Sequence, residues 1–252
     1  MQPTSYEEVN SLIQLLLSQI KDILGEKMIG LYLYGSLVTG DFDIKISDID
    51  LLCAVSSDVD SHEFEKLKQM HEDFAKTHKA WNDRIEVQYL SIDGLKTFKS
   101  RTTKMVDISP GEPIHILDAG KEWLVNWYMV QEKGLTLFGA SSKTIIDPIS
   151  KDEFIETVRE HTKIWRTKDI PKRRGSQAYA ILTLCRAYYT LKHGEQVPKR
   201  EAAVFIQKEF PEWKSLIDDA LQWRDEQWKT QAEDETVYPQ TVKFVNFMID
   251  QI

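Results

Sequence analysis

"MIGLYLYGSLVTGDFDIKISDIDLLCAV", residues 28–55, holds two apolar runs of strand length, Met28–Tyr34 and Ile49–Val55. Gly35-Ser36 follows the first run, and Ser47-Asp48-Ile49-Asp50 leads into the second. Each run is short, apolar and bounded by polar or turn-forming residues, as buried strands are. In an extended chain alternate side chains share a face, so Asp48 and Asp50 point the same way, about 6.5 to 7 Å apart, and Ile49 and Leu51 face the opposite core. Two carboxylates on one face at the mouth of an apolar strand repel each other and lose hydration, unless a positive group joins them. Magnesium is the natural candidate, because it takes oxygen ligands and sits between a few carboxylates and substrate phosphates. Asp41 and Asp43, in a stretch without periodicity between Gly40 and Lys45, read instead as a solvated turn.

Outward from this stretch, Val9, Leu12, Ile13, Leu16, Leu17, Ile20 and Leu24 recur at the helical period. Thr4 with Glu7 has capping-box spacing, and Gly25 is placed to end the helix. A charged segment with Phe64, Leu67, His71, Phe74 and His78 reads as a second helix, and "RIEVQYL" (84–90) as a third strand carrying one acid, Glu86. "KEWLVNWYMVQEKG" (121–134) reads as a helix and "LFGASSKTIIDPIS" (137–150) as a linker. After Pro148 the pattern is helical throughout: 151–165, 176–193, 199–210, 213–228 and 239–252. The expected architecture is an α/β domain over 1–147, a mixed sheet with flanking helices, followed by an all-α helical bundle over 148–252.

With 252 residues, 42% hydrophobic and 29% charged, the chain has the composition of a folded globular protein. Its formal charge of -8 excludes the basic footprint that general nucleic-acid binding needs. Cys53 and Cys185 lie far apart inside apolar stretches and read as core residues, not as a zinc or redox pair. No apolar run approaches the ~20 residues that span a bilayer, and the first residues lack a leader pattern, so a cytoplasmic setting is expected. No Gly-x-Ser-x-Gly elbow is present, and the histidines of the second helix are not at metal-binding spacing.

Two features strengthen the Asp48/Asp50 reading. Glu86 is a lone carboxylate in a run of β-formers, an odd choice unless it faces solvent or a site that a neighbouring strand shares. Gly35-Ser36 follows the first strand directly, where glycine lets the backbone approach a phosphate and the next amides and the hydroxyl can hydrogen-bond it. The succession of apolar strand, Gly-Ser, Ser-Asp-Ile-Asp, strand, and a third carboxylate on a later strand resembles the nucleotidyltransferase superfamily that includes DNA polymerase beta. That resemblance, which covers residues 28 to about 90, implies that Asp48 and Asp50 bind magnesium and that Gly35 and Ser36 hold the triphosphate. It implies for Glu86 the role of general base or third metal ligand.

"AILTLCRAYYTLKHGEQVPKREAA" (180–203) narrows the resemblance to the aminoglycoside adenylyltransferases of the streptomycin/spectinomycin type. It implies transfer of AMP from ATP to a hydroxyl of a small molecule, the first guess being an aminoglycoside-type antibiotic. Arg186 and Lys199 would contact the ATP phosphates from the helical side of a cleft, and Trp165 would meet the acceptor. The chain departs from the family at "PKRRGSQAYAILTL" (171–184), where Lys172, Arg173 and Arg174 stand near the family's acidic residues, and a basic run there would repel a polycation. Two other readings fit the motif: a nucleotidyltransferase that modifies a protein or RNA, and a nucleotide-binding regulator without catalysis.

Overall fold

A computed structural model describes residues 2–225 and 233–252. By internal contacts the chain divides into one unit of Met1–Phe42 and Ser47–Ile149, and a second of Ser150–Ile252 together with Asp43–Ile46.

The first unit is built on a six-stranded mixed sheet. Its strands are β1 (Met28–Tyr34), β2 (Ile49–Val55), β3 (Ile85–Ser91), β4 (Thr103–Ser109), β5 (Glu112–Ala119) and β6 (Leu135–Gly139). They lie in the order β5-β4-β3-β2-β1-β6, and only β2 and β3 run parallel. A parallel pair needs a crossover, and α3 (Ser61–Thr77) supplies it. Leu31, Leu33, Leu51, Cys53, Val87 and Tyr89 cover one face of the sheet. They form one core with α3 and with α1 (Glu7–Leu24), which lays Val9, Leu12, Ile13, Leu16 and Ile20 on it. β1, β2 and β3 are buried on both faces, which is why they read as nearly unbroken apolar runs.

Several boundaries differ from the sequence reading. Tyr6, not Thr4, caps α1, because the Thr4 hydroxyl donates to Asn10 Oδ1 at 2.8 Å and accepts from Tyr6 N–H, closing a local loop instead of a capping box. The stretch 137–150, read as a linker, contains most of β6 and a short helix at Ser142–Ile145. Its small residues serve packing: a side chain at Gly139 (φ 82°) would meet Ile29 O at 2.0 Å, so glycine lets β6 close on β1. The β4–β5 hairpin had no counterpart in the sequence reading. Its turn is Pro110-Gly111, with Gly111 at φ 85°.

The helical unit contains α7 (Lys151–Ile164), α8 (Arg174–His193), α9 (Lys199–Glu209), α10 (Lys214–Asp225) and α11 (Tyr238–Asp250), after α4 (Ile92–Thr97), α5 (Leu124–Lys133) and α6 (Ser142–Ile145) of the first unit. α8 is its axis: Ala178, Ile181, Leu182 and Cys185 pack with Ala202 and Ile206 of α9, Ile217 of α10, and Phe244 and Met248 of α11. A capping box of Ser150 and Glu153 starts α7. The expected helix 213–228 is a single 3₁₀ turn at Pro211–Trp213 followed by α10, and its reading as far as Trp228 lies outside the described residues. Among the described residues no helix is long and apolar enough to cross a membrane.

Inside the first core, His71 of α3 is 5% exposed, and its Nε2 lies 2.8 Å from the Tyr89 hydroxyl. Burial pulls its pKa down to about 4 from an ordinary 6.5. The folded state therefore binds fewer protons at this ring than the unfolded chain does. The stabilisation is present above pH 6.5 and is lost as the pH falls through the folded pKa, amounting to about 3 kcal/mol. Urea unfolding at pH 7 and pH 4.5 tests this: His71→Gln keeps a partner for Tyr89 and removes the titration, so the acid-induced loss should shrink.

Candidate active site

β2 and β3 pair in parallel register with Asp50 opposite Glu86, and Asp50 is also opposite Tyr34 at the end of β1. Alternation then puts Tyr34, Asp50 and Glu86 in one row on the same face of the sheet. In β2 and β3 every position is buried except these two acids, which are half-buried. Asp48 sits just before β2 and interacts electrostatically with Glu86. The sequence-derived trio of acids is thus gathered at one end of two adjoining strands. Among the described residues, no three His, Cys, Asp or Glu side chains are placed to hold a metal ion together. Two aspartates are nevertheless a sufficient protein contribution where phosphate and water oxygens complete a magnesium shell.

Gly35 is built against this row. Its φ is 72°, and a side chain there would meet Asp50 Oδ2 at 1.9 Å. Only a residue without Cβ allows the backbone to turn this close to the carboxylate. Ser36 opens a single helical turn, α2 (Ser36–Thr39), and Thr39 N–H and the Thr39 hydroxyl both donate to Gly35 O, at 3.2 and 3.1 Å. Asp43 does what the sequence suggested for it, accepting the Lys45 N–H at 2.8 Å in a local turn.

Behind the acids lies a polar network that the sequence reading missed. The Tyr34 hydroxyl donates to Gln88 Oε1 at 2.6 Å, and Gln88 Nε2 donates to Glu86 Oε1 at 3.0 Å and to Asp107 Oδ1 at 2.9 Å. Burial, and then the charge of Asp107, push the Glu86 carboxyl up to about 7, with Asp48 adding in the same direction and the Gln88 hydrogen bond opposing. Burial likewise raises Asp107. Gln88 had a visible signal: it is two residues after Glu86 in a strand, hence on the same face. Asp107 had none, because the hairpin that carries it was not recognised.

Arg84 is a second missed residue. It is 6% exposed, and its Nε and Nη2 both donate to Ser47 O, while the Ile49 N–H donates to Arg84 O at 3.0 Å. Its guanidinium also lies over the Trp81 ring, 4.2 Å from the centroid. The backbone on both sides of Asp48 is therefore fixed by one buried arginine.

Within the helical unit, Trp165 and Tyr179 stand 5.9 Å apart, and Lys199 Nζ lies 4.9 Å above the Tyr179 ring. Tyr179 is 54% exposed, and Arg186 follows it by two helical turns on the same side of α8. Trp165 and Lys199 thus share a neighbourhood at the Tyr179 ring, and Arg186 lies about 10 Å farther along α8. The basic run at 172–174 is not a bare patch: Lys172 Nζ lies 3.0 Å from Glu235, Arg174 lies 3.2 Å from Asp234, and Arg173 forms a backbone bridge to Glu233. The repulsion of a polycation expected from the sequence is offset by these acids, which lie about sixty residues away in the chain and were not connected to the run by any local pattern.

The nucleotidyltransferase domain family matches residues 17–110, and the C-terminal domain of the aminoglycoside adenylyltransferases matches residues 144–251. The second of these parts is thus similar to the aminoglycoside adenylyltransferases, and the first to nucleotidyltransferases more broadly. An aminoglycoside (3'') (9) adenylyltransferase of Rhizobium radiobacter is 30% identical over 81 residues, 32% of this chain and 29% of that protein. The match therefore spans less than a third of that relative's length. The crystal structure of a spectinomycin adenyltransferase, AAD(9), from Enterococcus faecialis with ATP and spectinomycin shares the fold, with a TM-score of 0.75. At 17% identity, that likeness covers 96% of this chain and 98% of the other.

The close approach of Gly35 to Asp50 can be tested directly. Gly35→Ala should weaken magnesium-ATP binding at least ~10-fold in calorimetry, because the methyl must displace either the turn or the carboxylate. Unchanged binding would show that the turn is not part of the nucleotide site.

Proposed function

We propose that the protein transfers AMP from ATP to a hydroxyl of a small molecule, with antibiotics of the spectinomycin and streptomycin type as the first acceptors. The observation that carries this reading is the Asp50–Glu86 pair: two acids side by side on parallel strands that are otherwise buried, with Gly35 turned against one of them. The family resemblance and the ATP and spectinomycin named with AAD(9) support the choice of donor and acceptor.

Asp48 and Asp50 would hold magnesium, which when bound supplies neutralisation of the triphosphate charge. The donor set fits: two carboxylates on one face, with room made by a glycine instead of a side chain. Glu86 takes the proton from the acceptor hydroxyl as its oxygen attacks the α-phosphorus, and pyrophosphate departs. Gly35 and Ser36 receive phosphate oxygens through backbone amides and the serine hydroxyl. Arg186 and Lys199 offset charge on the leaving pyrophosphate, and Trp165 presents an apolar surface to the acceptor. Because Lys172 and Arg174 are met by Glu235 and Asp234, a cationic acceptor is compatible with this end of the helical unit.

The experiment is mass spectrometry of a panel of aminoglycosides, including streptomycin and spectinomycin, after incubation with the protein, ATP and magnesium. An AMP adduct is expected with the native chain and not with Asp50→Asn. Magnesium-dependent ATP binding with no adduct would overturn the acceptor assignment and leave the nucleotide site standing. Glu86→Gln should abolish transfer while ATP binding persists. A base must be ionised to act, so the rate should fall on the acid side as Glu86 takes up a proton, and a native rate that shows no acid limb down to about pH 5 would remove Glu86 as the base.

A further inference from the structure

We infer that Gln88 is the positioning residue of this site: its side-chain amide holds the Glu86 carboxylate in the orientation from which it takes the acceptor's proton. The inference rests on the reading of Glu86 as base and adds to it the residue that sets its geometry.

Gln88 is fully buried, so each of its polar atoms must be satisfied inside the protein. Its two N–H groups meet two carboxylates, Glu86 Oε1 at 3.0 Å and Asp107 Oδ1 at 2.9 Å. Its oxygen meets the Tyr34 hydroxyl at 2.6 Å. Only one orientation of the amide fits this set, because the flipped form would set an oxygen against two acceptors. Tyr34 enforces that orientation. Its hydroxyl donates to Gln88 Oε1 at 2.6 Å, the shorter of its two acceptor distances.

The consequence falls on Glu86. A glutamate has three side-chain torsions, and a base that is free to turn spends little time aimed at its substrate. Here the Gln88 amide donates to one carboxylate oxygen, Oε1, at 3.0 Å, and so ties it to a fully buried side chain. Fixing one oxygen through a buried amide fixes the plane and direction of the other, which is how a supporting group makes a reactive one precise. Asp107 matters as the anchor at the far end: without it, one amide hydrogen would be buried unpaired and the Gln88 side chain could swing. The network therefore runs Tyr34, Gln88 and then Glu86, with Asp107 holding the amide from behind.

The test compares the full-length native protein with Gln88→Leu, which keeps the volume and removes the hydrogen bonds. Steady-state transfer is measured with ATP, magnesium chloride and streptomycin or spectinomycin, alongside thermal unfolding and a crystal structure of the variant. The expected result is a kcat at least ~10-fold lower, with KM for ATP and for the drug within about twofold and the Glu86 carboxylate displaced. Tyr34→Phe, which removes the donor to the Gln88 oxygen and leaves the two amide contacts, should lower kcat by a smaller factor with the same unchanged KM values. A purely structural role would instead lower thermal stability and leave kcat per folded molecule unaltered, and that outcome overturns the assignment. If Gln88→Leu does not fold, Tyr34→Phe decides by the same measurements. If the native protein modifies neither drug, the functional reading fails by itself. The crystal structure still decides the role of Gln88: Glu86 in its native orientation in the variant overturns it, and a displaced carboxylate supports it.

Discussion

The in-register parallel pairing of β2 with β3 is the constraint on which this site depends. It fixes Asp50 beside Glu86, and a one-residue slip of either strand would put an apolar side chain in place of its acid and turn that acid into the core under α1 and α3. Because β1, β2 and β3 are buried on both faces, the register is enforced by packing on either side of the sheet.

Around this pair the protein has distributed different tasks to different chemistries. Glycine supplies nearness at residue 35, arginine supplies backbone fixation at residue 84, and a glutamine supplies neutral donors where a lysine would have cancelled the charge of Glu86. The choice of an amide is informative. Its hydrogen bond holds the carboxylate, and burial with the charge of Asp107 still leaves the Glu86 carboxyl raised above its ordinary value.

Much of this was legible in the sequence, for physical reasons. β1 and β2 could be read because a doubly buried strand is an unbroken apolar run, and Asp48, Asp50 and Glu86 stood out because an acid in such a run carries a desolvation cost that needs a reason. The helices of the second unit were read from their period, with ends displaced by one or two residues where caps and 3₁₀ turns intervene. What escaped was non-local. β4 and β5 are amphipathic edge-side strands with charges interspersed, β6 is only five residues long and runs into a stretch of small residues, and the bonds from Gln88 to Asp107 and from Arg174 to Asp234 join residues that no local spacing connects.

β6 also has a bearing on how the chain is made. β1 lies between β2 and β6, yet residues 135–139 leave the ribosome about a hundred residues after Met28–Tyr34. Throughout that interval β1 is the bare margin of a growing sheet, flat, apolar and offering unpaired backbone groups to any other strand. A nascent or truncated chain that ends after Glu86 but before Gly139 would keep Asp48, Asp50 and Glu86 and leave β1 as its outermost strand. Such fragments should self-associate through β1, and the close fit of Gly139 against Ile29 O is what lets β6 cover that strand with a shorter, more exposed one.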